Sequence, residues 1–120
     1  MNYLFDTNAI IYLLSGQGKF PNFQESDNFY ISFITQIELL SGDLDTKAEL
    51  KIEEILRNFE IVHSSPSIVT FSIKYRKNYS LKVPDSIISA TAKTLEATFI
   101  TADKQLVKKI KDNLVIFNPL

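Results

Sequence analysis

The chain has 120 residues, 45% of them hydrophobic, with a formal net charge of −1 and no cysteine. This length suits one compact domain spanning 1–120 with its own core, and the missing thiols exclude disulfides, thiolate metal sites and cysteine nucleophiles. No run of about 18 apolar residues offers a membrane span, and Met1-Asn2-Tyr3-Leu4-Phe5-Asp6 has no basic lead-in, so a cytoplasmic protein without membrane association is expected.

Residues 2–5 read as a short buried strand, after which Asp6 or Thr7 caps a helix built on Ile10, Ile11, Leu13 and Leu14. Ser15-Gly16-Gln17-Gly18 ends it, and 19–28, with Pro21, reads as a loop. The apolar, β-prone run 29–33 predicts a second strand. Thr35 with Glu38 three residues on has the form of a capping box opening a short helix, and Thr46 with Glu49 repeats it. Ala48, Ile52, Ile55, Leu56 and Phe59 then form one apolar stripe. A strand over 60–63 follows, and Ser64-Ser65-Pro66 starts a helix carrying Val69, Ile73 and Arg76. Pro84 fits the first turn of another helix. Residues 98–101 predict a strand, Asp103 caps a last helix, and 114–117 predict a final strand. Strands alternating with helices imply an α/β fold with a mostly parallel sheet.

Charge is unevenly divided. Residues 1–60 carry ten acidic against four basic side chains, and residues 61–120 carry four against nine. Lys74, Arg76, Lys77 and Lys82 precede Asp85, while Lys104, Lys108, Lys109 and Lys111 follow Asp103. Such runs are ordinarily solvated helix faces, but beside acids they can hold a phosphodiester backbone. The first run is the better candidate, with Arg76 and Lys82 as its phosphate contacts.

Four acids, Asp6, Glu38, Asp85 and Asp103, are each expected where a strand hands over to a helix. Taken singly, each has an ordinary explanation. Asp6 and Asp103 serve as N-caps worth roughly 1 kcal/mol, Glu38 as the return partner of Thr35, and Asp85 as a first-turn acid answering the helix dipole. In a parallel sheet, however, strand carboxyl ends share one edge, where the ligand crevice lies. Two carboxylates about 4 Å apart repel by roughly 4 kcal/mol at an effective dielectric of 20. A hard divalent cation, Mg2+ or Mn2+, removes that penalty and prefers oxygen ligands.

Together, Asp6-Thr7-Asn8 after the first strand, Glu38-Leu39-Leu40 on an early helix, Pro84-Asp85-Ser86-Ile87-Ile88-Ser89-Ala90-Thr91-Ala92, and Thr101-Ala102-Asp103 after a late strand resemble the PIN-domain ribonucleases. They are most similar to the VapC-type toxins of toxin–antitoxin pairs, and the resemblance spans essentially the whole chain. It implies a three-layer sandwich around a five-stranded, mostly parallel sheet, and metal-dependent hydrolysis of RNA by an acidic quartet. Asp6, Glu38, Asp85 and Asp103 match that quartet position by position as catalytic residues and ligands of Mg2+ or Mn2+. On this reading Asp6 and Asp103 are the principal ligands, Asp85 ligates directly or through water, and Glu38 either orients the attacking water or is a further ligand. Thr7, Asn8 and Thr101 fall in the same motifs and support the carboxylates from behind, or cap and stabilise turns. A homodimer and a cognate antitoxin lying along the groove are also implied. One position departs: many toxin members carry Arg where this chain has Ala102, which removes a basic substrate contact there.

Other chemistries fit less well. His63 is the only histidine and cannot form a zinc triad. Neither a Gly-x-Ser-x-Gly elbow nor a Gly-x-x-x-x-Gly-Lys loop is present. A phosphoryl-transfer receiver would need its acceptor Asp after the third strand, where His63-Ser64-Ser65 stands, and a haloacid-type phosphatase needs an acid at position 8, which is Asn. The remaining alternative is a non-catalytic PIN-like module that binds RNA or protein. The aromatics Phe29, Phe33, Phe59 and Phe71 read as core, whereas Tyr12, Phe20, Phe23, Tyr75 and Tyr79 are candidates for an exposed partner surface.

Overall fold

The computed structural model describes residues 1–120. Five short strands, β1 (Asn2–Phe5), β2 (Asn28–Ser32), β3 (Glu60–Val62), β4 (Thr98–Ile100) and β5 (Ile116–Phe117), pair only in parallel, in the order β3-β2-β1-β4-β5. Phe5 pairs with Ile31 on one side and Ile100 on the other, so β1 is central. Parallel pairing forces each connection to cross over the sheet, and helices do this here. They are α1 (Thr7–Ser15), α2 (Phe33–Leu40), α3 (Thr46–Leu56), α4 (Pro66–Tyr79), α5 (Val83–Thr94) and α6 (Lys104–Lys109).

Period-2 alternation in the strands divides the core in two. Leu4 and Phe99 face a cluster that includes Ile68 and Tyr75 of α4, Ile88 and Ala92 of α5, and Leu106 of α6. Their neighbours Tyr3, Phe5 and Ile100 face the opposite cluster, with Ala9 and Ile10 of α1, Leu39 of α2 and Leu56 of α3. The sheet is therefore the middle of three layers, as the sequence implies. From β1 the chain winds outward to β2 and β3, then returns across the sheet to β4. That reversal opens a crevice at the carboxyl ends of β1 and β4, immediately before Asp6 and Asp103. A receiver-type order, 2-1-3-4-5, is excluded by the same topology.

Several local expectations shift. β2 ends at Ser32, so the cap of α2 is Ser32, whose hydroxyl accepts the Ile34 N–H at 3.1 Å. Thr35 lies inside the helix, fully buried, and the Thr35–Glu38 capping box does not form. Likewise Asp45, not Thr46, caps α3 through the Ala48 N–H at 2.8 Å. The strand expected over 114–117 shortens to two residues. Asp85 follows no strand: α4 closes at Ser80 in the left-handed region (φ 55), and α5 begins three residues later. Phe20 and Phe23, expected as exposed, pack on the second cluster within a set of rings around Phe5 (Phe5 to Phe20, 5.8 Å; Tyr3 to Phe23, 5.0 Å). Tyr75 is buried too, and its hydroxyl donates to Asp112 at 2.7 Å.

Candidate active site

Asp6 occupies the turn from β1 into α1. Its backbone extends the sheet, with its N–H donating to the Ile100 carbonyl at 3.1 Å, and its side chain is the N-cap, accepting the Ala9 N–H at 2.8 Å. The residue is only 7% exposed. Its second carboxylate oxygen accepts from the Thr101 hydroxyl, and that hydroxyl in turn accepts the Asp103 N–H at 3.1 Å. One buried threonine thus fixes both strand-end acids relative to each other. Asp103 caps α6 with a single oxygen, Oδ1, which takes the N–H groups of Gln105 (3.0 Å) and Leu106 (3.1 Å).

The other two acids arrive on helices. Glu38 lies in the second turn of α2, exposed, and accepts a 2.6 Å hydrogen bond from Thr7. Thr7 has one hydroxyl proton, so its 3.3 Å contact with Thr35 is donated by Thr35. Buried Thr35 therefore backs a Thr7–Glu38 pair, a role its sequence context did not signal. Asp85 stands in the first turn of α5, partly buried, with no side-chain cap at Lys82 to compete for the helix N-terminus. Asn8 is exposed on α1.

These acids sense one another. Burial pushes the Asp6 carboxyl up to about 6; the negative charges of Asp103 and Asp85 add to this, and the hydrogen bonds from Thr101 and Ala9 oppose it. Asp85 is raised as well, by burial first and then by Asp103 and Glu38, with Lys82 and Lys109 pulling the other way. Asp103 thus contributes to the upward shift of both Asp6 and Asp85, and Glu38 to that of Asp85. No three of them converge into a finished coordination shell, consistent with the mutual repulsion of like charges. Their donor set is nonetheless purely oxygen, which suits magnesium or manganese.

Asp85 and Asp103 share a cavity of about 260 Å³ with Leu81, Lys82, Gln105, Leu106 and Lys109. A larger depression of about 600 Å³ opens at the amino ends of β1 and β4, lined by Met1, Phe71, Lys93, Glu96, Thr98 and Val115 among others. It contains a single acid, Glu96, whereas the smaller cavity holds two of the four predicted acids, Asp85 and Asp103. Arg76 and Lys82, the expected phosphate contacts, part company here. Lys82 lines the cavity, whereas the Arg76 guanidinium donates to the Leu81 carbonyl at 3.0 Å and fixes the turn between α4 and α5. Lys109 lines the cavity from α6 and was one undistinguished member of a lysine run in the sequence. Helical spacing decides which lysine of that run turns inward, and only the observed start of α6 at Lys104 sets the phase.

A family description, PIN domain, matches residues 3–112. The ribonuclease VapC of Rickettsia bellii is 29% identical over 132 residues, covering 100% of this chain and 98% of its own length. Among solved structures, a toxin–antitoxin complex from Klebsiella pneumoniae is 30% identical with a TM-score of 0.78, covering 98% of both chains. VapBC2 from Rickettsia felis, bound to a DNA fragment from its promoter, has a TM-score of 0.82 at 21% identity, again over 98% of both chains. At that identity the last likeness speaks for the fold alone.

Proposed function

The chain belongs to the PIN-domain family, and from that premise we propose that it is a metal-dependent endoribonuclease, the toxin of a toxin–antitoxin pair. The observation that carries this reading is the grouping of Asp6 and Asp103 after the adjacent strands β1 and β4, joined through the Thr101 hydroxyl, with Asp85 sharing a cavity with Asp103. Nothing in the packing of the core requires such a grouping, and like charges brought together weaken the fold.

Asp6, Asp85, Asp103 and Glu38 would hold the ion, Asp6 and Asp103 most rigidly because the buried Thr101 hydroxyl ties them together. A bound Mg2+ or Mn2+ lowers the pKa of its water and neutralises charge developing on the scissile phosphate. Glu38, steadied by Thr7, orients the attacking water for addition to phosphorus. The P–O bond on the opposite side would then break, the attacking water giving its proton to solvent and the leaving oxygen taking one from solvent. Thr101 holds Asp6 and Asp103 in register from behind. Lys82 contacts substrate phosphate, while Arg76 acts indirectly, through the turn that presents Lys82.

A protein partner is part of the reading. Ile11 on α1 and Ile37 on α2 are about half exposed, 46% and 55%, on helices that touch each other beside Glu38. They form an apolar strip for a cognate antitoxin segment. Val69 and Ile73, one turn apart and exposed on α4, suit a homodimer contact. No helix is long and apolar enough to cross a membrane.

The deciding experiment is RNA cleavage by the purified chain with magnesium or manganese against EDTA, beside Asp85→Asn. Cutting that needs metal and disappears in the variant is expected. A folded chain that binds RNA without cutting it under either metal would instead make it the non-catalytic binding module.

A further inference from the structure

We propose that Lys82 and Lys109 form a two-sided clamp that seats a backbone phosphate of the RNA beside the Asp85–Asp103 pair. The inference rests on the nuclease reading above and adds to it the residues that seat the substrate. Lys82 enters the cavity from the start of α5 and Lys109 from the last turn of α6, so the lysines flank the Asp85–Asp103 pair from two different elements. Both are exposed at their backbone positions, and the ion pairs of the chain, Met1 with Asp27 and Lys93 with Asp112, involve neither. Neither lysine is held in a salt bridge, so both charges near Asp85 are open to a bound anion.

Charge balance favours this role. A divalent cation offsets only two of the four carboxylate charges, and the two left over would repel a phosphodiester; the ammonium groups of Lys82 and Lys109 cancel them and let an RNA backbone approach. Gln105, lining the same cavity, supplies a neutral hydrogen-bond donor. A lysine suits the task because its compact, mobile charge meets a phosphate without demanding a fixed planar geometry.

The test uses cleavage of a pool of randomised 20-nucleotide RNA by the parent chain, Lys109→Gln, Lys82→Gln and Lys109→Arg, over a series of KCl concentrations with manganese. Each Gln variant is expected to raise KM by about fivefold with kcat within about twofold, and to reduce the log–log salt slope by roughly 0.7, the value of one phosphate contact on a single strand. Lys109→Arg should restore most of the loss. Lysines that only offset the acids would give a different result: KM and salt slope unchanged, with a lower metal-free melting temperature. That outcome overturns the clamp and leaves the nuclease standing. Absence of any metal-dependent cleavage by the parent chain overturns the nuclease reading and the clamp with it.

Discussion

Burying Asp6 between β1 and α1 ties the stability of the folded chain to pH. Its carboxyl titrates at about 6 when folded, against an ordinary value of 3.8. The folded state therefore holds the proton more tightly than the unfolded state. Below the ordinary value both states are protonated and the fold loses nothing. As pH rises toward 6 the unfolded chain ionises first, so stability falls, and it levels off above 6 at a deficit of about 3 kcal/mol. Asp85 is shifted in the same direction, by burial first and then by the charges of Asp103 and Glu38. Asp6→Asn keeps the cap, since an amide oxygen still accepts the Ala9 N–H, but it cannot ionise. Without metal it should melt higher than the parent at pH 7.5 and close to it at pH 4. Thermal melts of both proteins in EDTA at the two pH values check this. A variant that melts lower throughout would make Asp6 a structural cap whose charge the fold needs.

At the scale of elements, the caps show where sequence reading succeeds and where it stops. Asp6 and Asp103 are legible because each follows a hydrophobic strand and accepts N–H groups only two or three residues on. Helix α3 was misplaced by one residue because Thr46 and Glu49 have capping-box spacing, while Asp45, the stronger acceptor, satisfies the Ala48 N–H. Substituting Asp45 by Ala should therefore lower stability by about 1 kcal/mol and Thr46→Ala by less than about half that, with metal-dependent cleavage unchanged in both; denaturant melts compare them, and equal losses would restore Thr46 as the cap. Glu38 was legible as an acid of the site but not in its local role, because its partner Thr7 lies 31 residues away and only the fold brings the two together. The aromatic rings of Phe20 and Phe23 were hidden for a similar reason. They sit in an irregular segment with no periodicity, and long-range packing against Phe5 and Tyr3 holds them. Lys109 needed the exact phase of a six-residue helix, which a run of lysines does not reveal.

Across the whole molecule, the two helical layers meet the site from opposite faces of the sheet. Asp6 and Glu38 belong to the side of α1 and α2, whereas Asp85 and Asp103 belong to the side of α5 and α6, whose Leu106 packs in the other core. An ion held by all four would cross-link the layers above the β1–β4 junction, so its binding energy should appear as global stability. At a concentration about a hundred times its dissociation constant, a ligand specific for the folded state adds about 2.7 kcal/mol. For a chain of this size that is a rise of roughly 10 °C in Tm. The rise must also depend on pH, because carboxylates bind metal only after losing their protons. With Asp6 titrating near 6 and Asp85 raised, each binding event at pH 5 must expel protons that are already gone at pH 7.5. Magnesium should therefore raise Tm little at pH 5, and increasingly up to about pH 7, beyond which the effect levels off. Melts in magnesium against EDTA across that range measure this directly, and Asp85→Asn or Glu38→Gln should flatten the response from either layer. An equal magnesium shift at pH 5 and pH 7.5, undiminished in both variants, would place the ion elsewhere on the molecule.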